Sequence, residues 1–280
     1  MMRRAVVVGI AVAGMLAAWA AEAPAAAGTV SVGFRLAPEV GYAVHAEGFG
    51  EPQGLLVGPA GELYVADRKR NEVVRIGRDG RREVVARDVR GAQHVAQDPL
   101  GALYVAATAL NQVIKISPQG VPTVYLEGLA QPVELGWDPQ GALLVCELAG
   151  HAVRAFGSPR QPRVLARASG PSGLAILPGG ITLVAESGPG RIMRVYPDGR
   201  TEQFVHGLDG PWGLAVGPSG DLYVAETRGV GRLTRIRADG TRQTLAEGLN
   251  CPRGPVFDAY GQLFVSECGT GRILRFTGDF

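Results

Sequence analysis

The sequence carries almost no net charge and almost no lysine. Its 280 residues include 26 arginines but only two lysines, Lys69 and Lys115, and the formal net charge is +2. The arginines are scattered along the chain, so the composition gives no reason to expect a nucleic acid or an acidic partner. Charged residues make up 19% of the chain and hydrophobic residues 46%, which excludes an intrinsically disordered protein.

Long hydrophobic runs are also scarce. One run of 14 apolar or small residues covers positions 5–18, directly after the basic start MMRR. Such a run is typical of a signal peptide and is shorter than the roughly 18 residues of a membrane span. We therefore predict a signal peptide and cleavage region over residues 1–27 and a periplasmic or secreted protein, with an uncleaved anchor as the alternative. We expect no membrane span in the mature protein.

Glycine and proline, by contrast, are abundant, with 41 and 19 residues. The strict three-residue period of collagen is absent, so this glycine indicates many tight turns. The motif Gly-x-Leu-Tyr-Val-Ala-Asp/Glu recurs six times in steps of 39 to 41 residues. The copies begin at Gly61, Gly101, Gly141, Gly180, Gly220 and Gly261.

Each copy predicts four strands separated by turns rich in Gly, Pro and Asp. Residues 55–57 form a short apolar first strand in copy one, the repeated motif is the second strand, and residues 74–76 lie in the third. Helical repeats of this length are excluded because the glycines and prolines would break their helices. We therefore predict an all-β fold, a single six-bladed β-propeller of four antiparallel strands per blade over residues 28–280.

The last copy lacks a fourth strand, since the sequence reaches Phe280 after its third. Residues 43–49 resemble the end of another fourth strand, residues 245–249. We predict that this N-terminal segment supplies the outer strand of the last blade and closes the ring.

The three cysteines occupy defined places in the repeat. Cys251 precedes the first strand of copy six and Cys268 follows its second. A hairpin that turns near Ala259 brings them opposite each other, which predicts a disulfide, with two free thiols as the alternative. Cys146 stands where other copies have alanine or serine, so we expect a buried, chemically quiet thiol.

Two residues depart from the repeat at the start of the first strand, which we expect to line the channel mouth. The first strand has glycine at this position in four copies, namely Gly54, Gly173, Gly213 and Gly254, but His94 and Glu134 in the other two. We expect both side chains to point into the channel mouth. They are candidates for an acid/base pair or for metal ligands. The alternative is a hydrogen-bonded pair that replaces the close packing of glycine.

The position one residue earlier is predicted to ring the channel mouth. Its polar and aromatic members are candidate ligand-binding residues: Gln53, Gln93, Ser172, Trp212 and Arg253. Trp212 and Arg253 belong to neighbouring blades and could stack on a planar or sugar-like ligand. Packing between blades is the alternative for Trp212.

Two other sets of charged residues recur too regularly to mark a site. We expect the carboxylates at the end of the second strand to accept hydrogen bonds from loop N–H groups, with a cation-binding ring as the alternative. We expect the basic residues of the third strand to cover apolar surface with their stems. The carboxylates are Asp67, Glu147, Glu186, Glu226 and Glu267, and the basic residues are Arg75, Lys115, Arg154, Arg194, Arg235 and Arg275.

The repeat unit also resembles a known family. Its clearest copy, PWGLAVGPSGDLYVAE from Pro211 to Glu226, is similar to the NHL-repeat propellers, and the resemblance covers residues 39–280. The same unit resembles the streptogramin-lyase-like and the regucalcin/gluconolactonase-like propellers. The resemblance implies the fold strongly and the function weakly, because such propellers include binding modules, lyases and lactonases.

The gluconolactonase-like resemblance implies a divalent metal held by a Glu, an Asn and an Asp. Ser172 and Trp212 stand at the Asn and Asp positions, and Glu51 is offset by one residue from the Glu. The expected metal set is therefore not preserved. The streptogramin-lyase-like resemblance implies His and Glu acting with magnesium, for which His94 and Glu134 are the right residue types.

The sequence therefore favours an exported propeller that binds a small polar ligand or a peptide at its channel mouth. The alternative is a metal-assisted lyase or hydrolase that uses Glu134 and His94 with calcium or magnesium. A third hypothesis is an interaction role, with a protein partner at the loops that join the blades.

Overall fold

The structure, a computed structural model, describes residues 34–157 and 161–280. The predicted signal peptide and cleavage region, residues 1–27, lies outside the described residues. Two short N-terminal strands come first, β1 (Arg35–Leu36) and β2 (Gly41–Ala46). No helix in the described part of the chain has the length and apolar character needed to cross a membrane.

The rest of the chain forms six consecutive antiparallel sheets, which are the blades. Blades one to three contain β3 (Pro52–Val57), β4 (Leu63–Asp67), β5 (Glu72–Ile76) and β6 (Arg82–Ala86); β7 (Ala92–Gln97), β8 (Leu103–Ala107), β9 (Gln112–Ile116) and β10 (Pro122–Leu126); and β11 (Pro132–Trp137), β12 (Leu143–Glu147), β13 (Ala152–Phe156) and β14 (Pro162–Arg167).

Blades four to six contain β15 (Pro171–Ile176), β16 (Thr182–Glu186), β17 (Arg191–Val195) and β18 (Thr201–His206); β19 (Pro211–Val216), β20 (Leu222–Glu226), β21 (Arg232–Ile236) and β22 (Arg242–Glu247); and β23 (Pro252–Phe257), β24 (Leu263–Glu267) and β25 (Arg272–Thr277). Two single-turn 3-10 helices, Thr108–Leu110 and Pro178–Gly180, lie in the loops of blades two and four. The predicted six-bladed, all-β fold is confirmed.

The hydrophobic core lies between the blades. The second strand of every blade is buried along its whole length because neighbouring blades cover both of its faces. Six hydrophobic clusters each join two adjacent blades, including the clusters between blades five and six and between blades six and one. Apolar burial therefore runs around the whole ring, and each blade depends on its two neighbours.

The N-terminal segment closes the ring as predicted. Strand β2 pairs antiparallel with β25, with Tyr42 opposite Phe276 and Val44 opposite Leu274, and completes blade six. Strand β1 adds a fifth strand to blade five through Arg35 opposite Glu247. The sequence did not predict β1, because two residues are too few to show a strand period.

A disulfide joins Cys251 and Cys268, whose Cα atoms lie 5.3 Å apart. The register of the hairpin fixes this position, since Pro252 lies opposite Glu267 and Arg253 opposite Ser266. Cys146 is a free thiol, fully buried. In other blades hydrogen bonds or an ion pair hold the corresponding point: the Thr227 N–H and hydroxyl donate to Gly210 O in blade five, both at 3.0 Å, and Arg68 pairs with Glu51 at 2.8 Å in blade one.

We expect a Cys251→Ser/Cys268→Ser variant to keep the propeller fold and to lose about 3 kcal/mol of unfolding free energy. The reason is that the disulfide constrains a short loop of the unfolded chain, while the hairpin keeps its backbone bonds. Urea unfolding followed by circular dichroism measures both effects, and the reduced parent protein is the control. Loss of the β-sheet spectrum in buffer would contradict the prediction.

Candidate functional site

The candidate residues lie at the beginnings of the first, innermost strands of the blades, at one face of the ring. The inner strands share an irregularity at this level. Each first strand changes register near its beginning, as between Pro52 and Leu55 in blade one and between Pro211 and Leu214 in blade five. The same shift occurs in the other four blades. A bulge of this kind bends the strand and redirects its side chains. The repeat pattern marks this position as special but does not predict the bulge.

Close approach of the inner strands explains the recurring glycines of the first strand, such as Gly54 and Gly173. A Cβ atom on Gly173 would lie 1.9 Å from the backbone oxygen of Trp212 in blade five. A Cβ on Gly54 would lie 2.3 Å from Cδ2 of the His94 ring. The inner strands thus pack backbone against backbone, and the His94 side chain fills the space above the Gly54 backbone.

His94 and Glu134 do meet, as their places in adjacent blades predicted. His94 Nε2 lies 3.2 Å from Glu134 Oε1, and the two side chains are only 13% and 10% exposed. The N–H of Leu135 approaches His94 Nδ1 at 3.4 Å. Since Nδ1 faces a donor, the proton of a neutral ring belongs on Nε2, from which it is donated to Glu134.

Burial sets the charge state of this pair. It lowers the pKa of His94 to about 4 and raises the pKa of Glu134 well above its usual value. Both shifts favour the uncharged forms, so the contact is a hydrogen bond between a neutral imidazole and a carboxyl group. Burial and the neighbouring Glu134 also raise the pKa of Cys146, which lies opposite Glu134 on β12.

Trp212 and Arg253 stack on each other. The Cζ atom of Arg253 lies 3.7 Å from the centroid of the Trp212 ring. The pair thus joins blade five to blade six by a cation–π contact. One face of the Trp212 indole therefore packs against the neighbouring blade, which was the alternative to ligand binding.

Arg253 has two unusual features. Its Nε and Nη1 atoms are buried and have no hydrogen-bond partner. Burial lowers its pKa to about 10, an effect that Glu51 opposes and Arg68 reinforces. The guanidinium therefore remains charged at neutral pH with part of its hydrogen-bonding capacity unused.

A chain of polar side chains runs beside this stack. Gln93 Nε2 donates to Gln53 Oε1 at 2.9 Å, and Gln53 Nε2 donates to Glu51 Oε1 at 3.1 Å. Arg68 Nη1 also donates to Glu51 Oε1, at 2.8 Å. Gln53 and Gln93 are 1% and 6% exposed. These amides are thus bound to each other and lie below the surface of the mouth.

Ser172 supports the scaffold at this level. Its side chain is fully buried, and its Oγ lies 2.9 Å from the carbonyl oxygen of Pro211 and 3.3 Å from that of Ala185. The hydroxyl therefore bonds the backbones of blades four and five. It is not one of the exposed donors of the mouth.

Carboxylates at the end of the second strand hold the loops, as predicted. Asp67 accepts the N–H groups of Gly50 and Glu51 at 2.7 and 3.0 Å. Glu226 and Glu267 accept loop N–H groups in the same way, at 2.6 and 2.8 Å. Glu186 accepts from the Ser169 N–H at the corresponding place, whereas Glu147 accepts from the Arg154 side chain.

A second set of side chains, between the second and third strands, also accepts hydrogen bonds from the loops that join the blades. The repeat pattern did not predict this role. Asn71 Oδ1, Asn111 Oδ1 and His151 Nδ1 each accept an N–H of the following blade-joining loop, at 2.9 to 3.1 Å. All three have positive φ angles of 49° to 56°, and glycine fills the position in the other blades. The signal in the sequence was a spacing of 40 residues. His151 therefore has a structural role.

The basic residues of the third strand cover apolar surface as expected. Four of their charged groups lie over aromatic rings, 4.0 to 6.0 Å from the centroids; these residues are Lys115, Arg154, Arg194 and Arg235. They belong to the scaffold and not to the mouth.

A divalent cation would need more ligands than this arrangement presents. Among the residues that the structure describes, no three His, Cys, Asp or Glu side chains come together as a metal-binding group. His94 and Glu134 bond to each other, and calcium prefers six to eight oxygens. The pair does not fit a calcium or magnesium site as it stands.

Comparison with known proteins agrees with this architecture. Residues 208–236 match the NHL repeat. This match and the structural similarities below confirm the resemblance inferred from Pro211 to Glu226. No curated protein sequence matches the chain.

Several solved structures share the fold. Virginiamycin B lyase from Staphylococcus aureus is 17% identical over 87% of this chain and 99% of its own, with a TM-score of 0.66. A gluconolactonase from Xanthomonas campestris is 17% identical over 87% and 91%, with a TM-score of 0.76. The PQQ domain of a pyranose dehydrogenase from Coprinopsis cinerea is 13% identical over 87% and 97%, with a TM-score of 0.68. At these identities the likeness shows the fold alone, so the function depends on the site.

We expect a Glu134→Gln variant to gain stability relative to the parent as the pH rises from 5 to 8. The raised pKa means that folded Glu134 keeps a proton that the unfolded chain releases above pH 4.5. The parent therefore loses stability as the pH rises towards the folded pKa, and the glutamine variant does not. His94 acts in the opposite direction, below pH 6.5, in both proteins.

Urea unfolding at pH 5, 6.5 and 8 measures this difference. Glu83→Gln is the control, because Glu83 is 60% exposed and pairs with Arg75 on an outer hairpin. A constant difference between Glu134→Gln and the parent across this range would show that Glu134 is ionised in the folded protein.

Proposed function

We propose that this NHL-type propeller is an exported binding protein that holds a small polar ligand or a peptide at its channel mouth. The observation that carries the proposal is the Arg253 guanidinium, two of whose nitrogen atoms, Nε and Nη1, are buried and have no hydrogen-bond partner. Buried donors are nearly always hydrogen-bonded in folded proteins, so an unused charged donor in a mouth indicates a site for an acceptor.

The surroundings of Arg253 support a ligand site. Trp212 is half-buried and fixes the guanidinium plane from one side. Gln53 and Gln93 support the site from below, and Ser172 fixes the backbone of the neighbouring strand. A rigid first layer of this kind limits the entropy lost on binding.

Export is supported by two observations from different parts of the chain. The hydrophobic run at residues 5–18 has the length of the hydrophobic region of a signal peptide. The Cys251–Cys268 disulfide is of a kind that persists in oxidising compartments such as the periplasm or the extracellular space.

We expect Arg253→Ala to weaken ligand binding by about tenfold or more, because a hydrogen bond to a charged group contributes roughly 1.5–3 kcal/mol. Trp212→Ala should weaken it severalfold, since it removes the cation–π support of the guanidinium. Isothermal titration with acetate, glucose and the dipeptide Ala-Ala as probes measures these changes. Arg81→Ala is the control, because that side chain is 91% exposed on a hairpin turn.

Unchanged binding in both mouth variants would place the ligand elsewhere. The loops that join the blades would then be the next surface to test, with a protein as the partner. Absence of binding by all three probes would count against a small-ligand site at the mouth.

A second candidate function is a lyase or hydrolase that uses the His94–Glu134 pair. The observation that favours it is their contact of 3.2 Å, which is suited to proton transfer. The protonated Glu134 carboxyl group could donate its proton to a substrate, and the Nε2–H of His94 would then donate a hydrogen bond to the carboxylate that remains. A divalent metal would supply Lewis-acid chemistry, but the present arrangement would have to open to bind it.

If this second function holds, the purified protein should bind Mg²⁺ or Ca²⁺ supplied as the chloride, and the Glu134→Ala variant should not. A lactone or ester should then be turned over by the parent and not by His94→Ala or Glu134→Ala. Metal analysis and a substrate panel test this directly. Lack of both metal binding and turnover would reject the enzyme.

A further inference from the structure

The charge balance at the mouth identifies the chemistry of the missing partner of Arg253. Arg253 lies at the start of β23, one residue after Pro252, and its guanidinium covers the Trp212 ring. Its Nε and Nη1 atoms lack hydrogen-bond acceptors. Arg275 differs from Arg253 because only its Nε is unpartnered. The Nη1 of Arg275 donates a hydrogen bond to Gln262 Oε1 at 3.4 Å.

The carboxylate that acts on Arg253 is already engaged. Glu51 raises the pKa of Arg253 through its charge, while Arg68 lowers it. Glu51 Oε1 accepts hydrogen bonds from Arg68 at 2.8 Å and from Gln53 at 3.1 Å. Among the charged groups that act on Arg253, two arginines thus share one carboxylate, and one positive charge remains uncompensated.

A buried charge is costly unless it is paired and hydrogen-bonded. A neutral sugar would supply acceptors but no charge. A phosphate dianion would bring more negative charge than this single excess positive charge balances, and it would face Glu51. A carboxylate supplies one charge and two coplanar acceptors, which match the planar guanidinium.

We propose that the channel mouth recognises a carboxylate group of its ligand through Arg253, and that Glu51 competes with this carboxylate for the positive charge of the mouth. This inference rests on the proposed binding function and narrows its ligand to an acidic small molecule or a peptide carboxylate. The Trp212 ring stacks on one face of the guanidinium and holds it in place.

The matched probes acetate and acetamide test the proposal, because they have the same shape and differ in charge. The readout is the Nε–H signal of Arg253 in a ¹⁵N NMR spectrum of the oxidised protein, assigned by its absence in Arg253→Gln. Acetate should shift this signal saturably, and acetamide and sodium chloride at the same ionic strength should not. In isothermal titration, which does not depend on that signal, Arg253→Gln should weaken acetate binding by about tenfold or more.

Glu51→Gln gives the opposite prediction. Removing the competing charge should tighten acetate binding by roughly two- to fivefold, as expected for one partly exposed charge. Glu83→Gln, on an outer hairpin, should leave it unchanged. An equal shift with acetamide or chloride, or no gain in Glu51→Gln, would overturn the carboxylate assignment.

The same titrations separate this inference from the proposed function. Binding of glucose or acetamide that depends on Arg253, without binding of acetate, would reject the carboxylate and keep the ligand site. No response of the Arg253 signal to any probe, with the fold intact by circular dichroism, would reject both.

Discussion

The close contact of six inner strands around one axis determines most of this structure. At the level of Gly54 and Gly173 the backbones approach so closely that no Cβ fits without displacing a neighbour. This contact brings the second strands of adjacent blades together and buries them on both faces, so that apolar burial continues around the ring. Strand β2 completes the sixth blade and removes what would otherwise be a free strand edge.

The same constraint explains why most polar residues at this level are paired with one another. Room for a side chain exists only where a blade departs from glycine, and His94 and Glu134 fill that room with a mutual hydrogen bond. Gln53 and Gln93 form a second pair one position earlier. Arg253 differs from these residues, because stacking on Trp212 satisfies its apolar contacts and leaves two nitrogen atoms without acceptors.

The loops around the mouth are held by two alternative kinds of acceptor. Where the turn between the second and third strands of a blade carries Asn71 or Asn111, its side chain accepts a hydrogen bond from the next loop. Where that turn is Gly190, Gly231 or Gly271, the carboxylate of the next blade accepts the loop N–H instead, as Asp67 does for Gly50. Every loop around the mouth is thus held by a hydrogen bond whichever acceptor a blade uses, as the proposed site at Arg253 would require.

The sequence alone determined the number of blades, the four-strand pattern of each blade, the closing strand and the opposition of Cys251 and Cys268. These features follow from the repeat of about forty residues and from the alternation and turns within each copy, which can be read along the chain. Only the tertiary structure decided that Arg253 lies on Trp212, that Gln53 binds Gln93 and that Ser172 is buried. These contacts join residues about forty positions apart, and they depend on the bulge and on how closely glycine lets the inner strands approach.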